Sequence, residues 1–263
     1  MTAQAESVTA GPRRLRRAWT GLVGAITFLT IVPVPAAGAR QDEFDLSNTL
    51  AWFPLVGGAI GAFAGALRVT CQPLFGRGPS TAIAMVGLVA ISGALHQDAL
   101  ADTADGLGVR GDRVRRLAAM RDSATGAFGV LALIGWALLL FTVLEPLRPD
   151  QVVRALIAAG AAGRLAALLH GIGARPARPD GLGAGLHVEP WALAIATLIA
   201  GAIIVAVAGP GRGAISLGVS GLVSALSAVL ARRTIGGSTG DTIGATVALT
   251  EVAVCLALSG MWR

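Results

Sequence analysis

"GLVGAITFLTIVPVP", residues 21–35, decides how this chain is threaded. The stretch is apolar, but it is only 15 residues long and ends on Pro33 and Pro35. A helix needs about 17–25 apolar residues to cross a bilayer, and proline disrupts the helix it sits in. If the stretch spans, with the N-terminus inside, then the loop carrying Arg110, Arg113, Arg115, Arg116 and Arg121 faces outward. That violates the excess of positive charge found on cytoplasmic loops. If it does not span, Arg13, Arg14, Arg16, Arg17 and Arg40 lie inside with those five, and so do Arg175, Arg178, Arg232 and Arg233. The outside keeps scattered residues such as Arg77, Arg148 and Arg212. The segment therefore reads as re-entrant or interfacial.

Working outward, seven longer apolar runs remain, at about 50–68, 80–97, 126–147, 152–172, 190–208, 213–231 and 243–261. The expected fold is all-α, a polytopic helical membrane protein with about seven transmembrane helices and its C-terminus outside. A basic cytoplasmic arm, 1–20, precedes a single integral membrane catalytic domain, 21–263. "MTAQAESVTAGPRRLRRAWTG" lacks a persuasive A-x-A cleavage site and reads as an uncleaved arm.

Composition agrees. Of 263 residues 54% are hydrophobic, a further 36 are glycine and only 14% are charged; mean hydropathy is +0.70. Soluble chains are about 45–50% apolar even with glycine counted. All the basic residues are arginine. They sit between apolar runs rather than in one patch, which argues against nucleic acid. Cys71 and Cys255 are far apart and beside apolar runs, so both read as packing residues.

The chemistry begins at "HQDALADTADGL", residues 96–107. Asp98, Asp102 and Asp105 are spaced i, i+4, i+7 and on a helix fall on one face, within about 60°. Three like charges there destabilise a bare helix and raise one another's pKa. A divalent cation relieves both penalties. Oxygen ligands suit Mg²⁺, Mn²⁺ or Ca²⁺, and Mg²⁺ is commonly held by a few carboxylates plus substrate phosphate. A solvated helix end is the bland alternative.

Two further stretches fall on the same, cytoplasmic side. "MRDSATGAFG", residues 120–129, places Arg121, Asp122 and Ser123 beside the start of a span. Capping explains one of them; together they offer a cation, a metal-type ligand and a donor where anions bind. "GGSTGDTIGATVALTE", residues 236–251, leads a glycine-rich turn with Gly237, Thr239, Gly240 and Asp241 into the last span. Such a turn can cradle phosphate with backbone N–H groups, although it lacks the lysine of a Walker A loop. Arg164 and Glu251 lie mid-span, where charges are costly and normally face a polar cavity or a partner. Arg164 reads as site-lining or as half of a buried ion pair, and Glu251 stays undecided. His96 reads as ligand, base or spectator. His170 and His187 read as bland, and Asp42, Glu43 and Asp45 as solvated loop charge. Carboxylates, a divalent ion, arginines and a glycine-rich helix start favour phosphate chemistry, which needs positioning and charge neutralisation above all.

D-x-x-D-G at Asp102–Gly106 is shared with the CDP-alcohol phosphotransferase motif, but that motif's downstream acids are absent. A closer resemblance runs over nearly the whole chain. "FLTIVPVP" (28–35), "FPLVGGAIG" (53–61), "DALADTADGL" (98–107), "MRDSATGAFGVLAL" (120–133) and "GGSTGDTIGA" (236–245) resemble, in order, five blocks of the cobalamin synthase or adenosylcobinamide-GDP ribazoletransferase family. Ala99 stands where that family usually has glycine, and Gln97 where an apolar residue is usual. The resemblance implies a Mg²⁺-dependent enzyme of the inner membrane, its active site facing the cytoplasm. It would join adenosylcobinamide-GDP to α-ribazole, or its 5′-phosphate, and release GMP.

On that resemblance Asp98, Asp102 and Asp105 are expected to bind metal, with Asp122 completing the site or acting as base. Asp122 and Asp105 are then the catalytic candidates. Arg121, Ser123, Arg164, Gly237, Thr239, Gly240 and Asp241 would contact phosphate or nucleotide. The expected partners are the two substrates and membrane lipid; a homo-oligomer is compatible with the sequence. A CDP-alcohol-type phosphotransferase and a cation transporter are the competing readings, and a scaffold is the weakest.

Overall fold

The computed structural model describes residues 3–35, 45–172, 174–179 and 188–262, with side chains from Leu15 onward. Arg40, Asp42, Glu43, His187 and the side chains of Arg13 and Arg14 lie outside that description. Among the described residues every regular element is a helix, apart from one isolated bridge between Pro176 and Ser238.

Helix α1 (Ala3–Leu29) runs from the basic arm into the short apolar segment without a break and stops before the prolines. Short α2 (Leu46–Ala51) follows, capped by the Asp45 side chain. The first long apolar helix is α3 (Phe53–Phe75), which starts later and runs further than the expected 50–68. Pro54 sits in its first turn, where the missing N–H has no helical partner to lose. Next comes α4 (Arg77–Ile91), then α5 (Leu95–Gly108), short α6 (Arg113–Ala119) and α7 (Ala127–Leu144). The remaining helices are α8 (Pro149–Gly171), α9 (Pro190–Ala208), α10 (Pro210–Ile235) and α11 (Gly240–Met261).

Six of these, α3 and α7–α11, are long and apolar enough to cross a membrane, and there are seven if α4 with α5 counts as one broken span. The expected run 80–97 is therefore corrected: it breaks at residues 92–94, and α5 leaves at 87° to α4. Gly93 and Ala94 both have φ of 59° at the break. The left-handed region suits glycine but is strained for alanine. The freed end of α4 is partly closed by the segment after α1, where Ile31 N–H donates to the Ile91 carbonyl at 2.9 Å. α5 is the polar half of the pair: it carries Asp98, Asp102 and Asp105 and turns across the end of α4 rather than continuing along it.

At the centre is α8, buried on most of its surface and built largely of alanine and glycine. Ala155, Ala158, Ala161 and Ala162 are fully buried. A Cβ added to Gly57 of α3 would collide with the Gly160 carbonyl, and one on Gly61 with the Leu156 carbonyl. Backbones in van der Waals contact are how helices associate in lipid, where no hydrophobic force drives them together. Outward, Leu131, Leu138, Leu198, Leu222 and Leu226 are all exposed. A belt of bare leucines on α7, α9 and α10 suits a multi-pass membrane protein.

The threading brings the end of α1, the starts of α3, α7 and α11 and the ends of α4, α8 and α10 to one end of the bundle, with α5 across it. That is where the carboxylates lie.

Candidate functional site

α5 keeps the i, i+4, i+7 spacing helical, as expected, but gives its three aspartates different surroundings. Asp98 is exposed, Asp102 half-buried and Asp105 buried. Asp105 accepts from the backbone N–H of Gly126 at 2.7 Å and of Gly129 at 2.8 Å. Those donors belong to the start of α7, where helix N–H groups have no internal partner. Asp105 is therefore an acidic cap supplied from another helix. Neither glycine could be replaced without crowding it: a Cβ on Gly126 would lie 2.5 Å from Asp105 Oδ1.

Asp102 has the ordinary carboxylate's neighbours reversed. Burial first, then the charges of Asp98, Asp241 and Asp105, raise its pKa to about 6, against a smaller opposing effect of Arg178. Asp98 and Asp241 line one cavity. The structure thus brings together Asp98, Asp102 and Asp241, with Arg178 and Arg121 in electrostatic reach of Asp241. Asp122 and Ser123 lie exposed on the turn after α6, and Asp122 Oδ1 accepts from Ala124 N–H at 3.0 Å.

The glycine-rich turn is pinned from two sides. Ser238 N–H donates to the Arg175 carbonyl and Ala177 N–H to the Ser238 carbonyl, both at 2.9 Å. Gly236 closes α10 with φ of 75°, and a Cβ on Gly237 would strike the Arg175 carbonyl. Thr239 caps α11, exchanging bonds with Thr242 at 3.2 and 3.0 Å. Ser238 and Thr239 N–H groups are thus committed within the protein. His170 holds the turn from beneath, its Nδ1 2.8 Å from Thr246 Oγ1 and its Nε2 3.0 Å from Ser238 Oγ. Sequence reasoning missed that role; a histidine at a span end facing a Ser-Thr-rich turn was its only signal. It also passed over Arg178, whose Nη2 donates to the Leu117 carbonyl at 2.9 Å.

Arg164 and Glu251 form a direct ion pair inside the bundle, the buried pair that was one expectation for Arg164, and Arg164 also lines the cavity. The cavity has a volume of about 200 Å³. Its walls are mainly apolar, from Phe28 and Leu29 of α1, Leu50 of α2, Phe53 of α3 and Ala167 and Leu168 of α8. Phe28 and Phe53 stack with ring centroids 5.5 Å apart.

Among the described residues no three His, Cys, Asp or Glu side chains already stand at ligand distance from a common point. Mg²⁺ does not require that, because it typically takes one or two carboxylates, waters and substrate phosphates. Half-buried Asp102, whose charged form is disfavoured first by burial and then by neighbouring carboxylates, is the kind of group a divalent cation relieves. The donor set fits such an ion.

Comparison with known proteins adds the following. The cobalamin-5-phosphate synthase family model matches residues 21–259. A Mesorhizobium japonicum protein named adenosylcobinamide-GDP ribazoletransferase is 38% identical over 239 residues, 89% of this chain and 90% of that protein. An Azorhizobium caulinodans protein of the same name is 38% identical over 241 residues, covering 87% and 91%. One from Klebsiella pneumoniae is 37% identical over 245 residues, covering 89% and 97%. No solved structure matches the chain.

Proposed function

The chain belongs to the cobalamin-5-phosphate synthase family, a family of transferases in cobalamin biosynthesis, and from that premise we propose its reaction. It joins adenosylcobinamide-GDP to α-ribazole, or to α-ribazole 5′-phosphate, at the cytoplasmic face of the inner membrane. A ribose hydroxyl forms a bond to the phosphorus attached to cobinamide. The anhydride bond to the second phosphorus breaks, and GMP leaves with the electron pair. The hydroxyl proton passes to a carboxylate; Asp98 and exposed Asp122 are the accessible ones.

One observation carries this reading: Asp98 and Asp241 line a mainly apolar cavity, and Asp102 stands within electrostatic reach of both. Asp98 and Asp102 would hold Mg²⁺, with Asp241 beside them. When bound, the ion neutralises charge on the bridging phosphates. Arg178 and Arg121 supply guanidinium charge on the same side. Asp105 and His170 position the parts, the first by fixing the start of α7, the second by fixing the 236–241 turn. Arginine on the loops at this end supports the cytoplasmic assignment. A transporter or a CDP-alcohol phosphotransferase has no comparable support once the family is known.

The test is GMP release by the purified chain in detergent, given adenosylcobinamide-GDP and α-ribazole, with and without Mg²⁺. Release that requires both substrates and the ion is expected. No release with both present overturns the reaction, and undiminished release in EDTA overturns the role of the metal.

A further inference from the structure

The apolar cavity beside the carboxylates holds one polar side chain with nothing to bond. His96 is 5% exposed and lines the cavity. Neither of its ring nitrogens has a hydrogen-bond partner among the described residues. Its Nδ1 faces α11, where a Cβ on Gly244 would lie 3.8 Å away, and Gly244 lines the same cavity. Buried polar groups are nearly always paired, so an orphaned imidazole on a cavity wall points to a ligand that supplies the partner. The other buried polar lining groups already have partners: Arg164 has Glu251, and the Thr49 hydroxyl donates to the Asp45 carbonyl at 3.2 Å.

Size and polarity narrow that ligand. An engineered apolar cavity of about 150 Å³ holds benzene, so about 200 Å³ suits a fused bicyclic ring. A corrin macrocycle is far too large. Guanine has the right size, but it carries donors and acceptors around its edges: Thr49 and Arg164 are already paired within the protein, Asp98 and Asp241 offer acceptors alone, and the rest of the ring would lie against Phe28, Leu50, Phe53 and Leu168. The base of α-ribazole is a dimethylbenzimidazole. It has two methyl groups, an apolar face and, once one nitrogen carries ribose, a single acceptor nitrogen. An imidazole keeps an N–H donor in either neutral tautomer. The chemistry matches group for group, and Asp98, two residues along, stands at the rim where the ribose would emerge.

We propose that this cavity is the binding site for the benzimidazole base, with His96 donating to its free ring nitrogen and Ala167 and its apolar neighbours receiving the methyl-bearing edge. The inference rests on the reaction proposed above and adds which substrate enters where. His96 is a specificity-determining residue on this account, and the carboxylates are left to the phosphates.

The experiment is equilibrium dialysis on the full chain in detergent, without Mg²⁺ or corrinoid. Three probes are used: α-ribazole, the same α-riboside of unmethylated benzimidazole, and the α-riboside of indole, which lacks the acceptor nitrogen. Wild-type protein is expected to bind α-ribazole about tenfold or more tightly than the indole riboside, as loss of a buried hydrogen-bond partner demands. His96→Ala should bring those two within about twofold of each other. Ala167→Leu, which fills the cavity, should reverse the order of the methylated and unmethylated benzimidazoles. Both variants should keep wild-type affinity for adenosylcobinamide-GDP, which also shows that they fold. Unchanged base discrimination in both variants overturns the site, as does a loss that falls on adenosylcobinamide-GDP instead. A wild-type protein that binds the probes as expected but releases no GMP overturns the reaction and leaves the site standing.

Discussion

Replacing Asp105 with asparagine separates a structural carboxylate from a metal ligand. Both its oxygens accept backbone N–H groups, from Gly126 at 2.7 Å and Gly129 at 2.8 Å. Hydrogen bonds to a charged acceptor are worth about 1.5–3 kcal/mol each. The asparagine amide keeps one acceptor oxygen and turns an NH₂ group toward the other N–H. Asp105→Asn should therefore cost about 2–3 kcal/mol, and Asp105→Ala, which orphans both donors, about 3–5 kcal/mol. Asp102→Asn should behave in the opposite way. Its pKa is raised to about 6, so the folded chain holds that proton more tightly than the unfolded chain does. The carboxylate's cost to stability thus builds as pH rises from about 4 to about 6 and is complete above that, so its removal leaves stability at pH 7.5 equal or higher. Unfolding in mixed micelles of rising SDS fraction, followed by tryptophan fluorescence, reads the stability. The Mg²⁺ concentration that gives half-maximal GMP release reads the metal. Asp105→Asn should unfold earlier with its Mg²⁺ requirement little changed; Asp102→Asn should keep its unfolding midpoint and lose the Mg²⁺ response. If Asp105→Asn unfolds with wild type while its Mg²⁺ requirement rises about tenfold, Asp105 is a ligand and the capping account is wrong.

The same raised pKa makes Mg²⁺ affinity depend on acidity in a range where an ordinary aspartate is fully ionised. With a pKa of about 6, the half-saturating Mg²⁺ should rise about fourfold between pH 7.5 and 5.5 through protonation of Asp102, and a flat titration would contradict it. Gly237→Ala should lower turnover by about tenfold or more through collision with the Arg175 carbonyl, whereas Gly201→Ala, with nothing within 4 Å, should leave turnover unchanged. In the SDS titration, Glu251→Gln should cost about 3–5 kcal/mol by stranding the buried Arg164 charge, and Arg164→Met with Glu251→Met together should recover most of it. A double variant no more stable than the single one would show that the pair does more than neutralise itself.

Helical periodicity in the sequence made the shared face of Asp98, Asp102 and Asp105 readable, and the arginine pattern put the right loops at one end. What it missed has a common physical form: partners remote in the chain or without a letter of their own. The groups that claim Asp105 are backbone N–H groups 21 and 24 residues away, and a backbone donor leaves no mark in composition. His170 looked inert because Thr246 and Ser238 lie 76 and 68 residues on. Arg164 and Glu251 each stood out as a charge in an apolar span, but nothing local states that they meet across 87 residues. The break after α4 was hidden for another reason. "ISGAL" is apolar enough to continue a span, and the left-handed turn falls partly on Ala94, a residue that rarely adopts it.

That break also explains why the site can be built at all. Had α4 run straight through residue 97, Asp98 and Asp102 would point along a bundle wall, each facing lipid or a neighbouring helix. Turning α5 through 87° lays the acidic face across the end of the bundle. His96 and Ala99 then form part of the cavity wall while Asp98 reaches its rim. α11 completes the wall from the other side, with Gly244 passing so close to α5 that a Cβ there would lie 2.6 Å from Ala99 Cβ. One strained turn, left-handed at both Gly93 and Ala94, therefore joins an apolar pocket to a set of carboxylates within two turns of a single helix. The proposed reaction brings an apolar aromatic base on one substrate and a pyrophosphate on the other to one place, and neither a straight span nor a solvated loop would supply that junction.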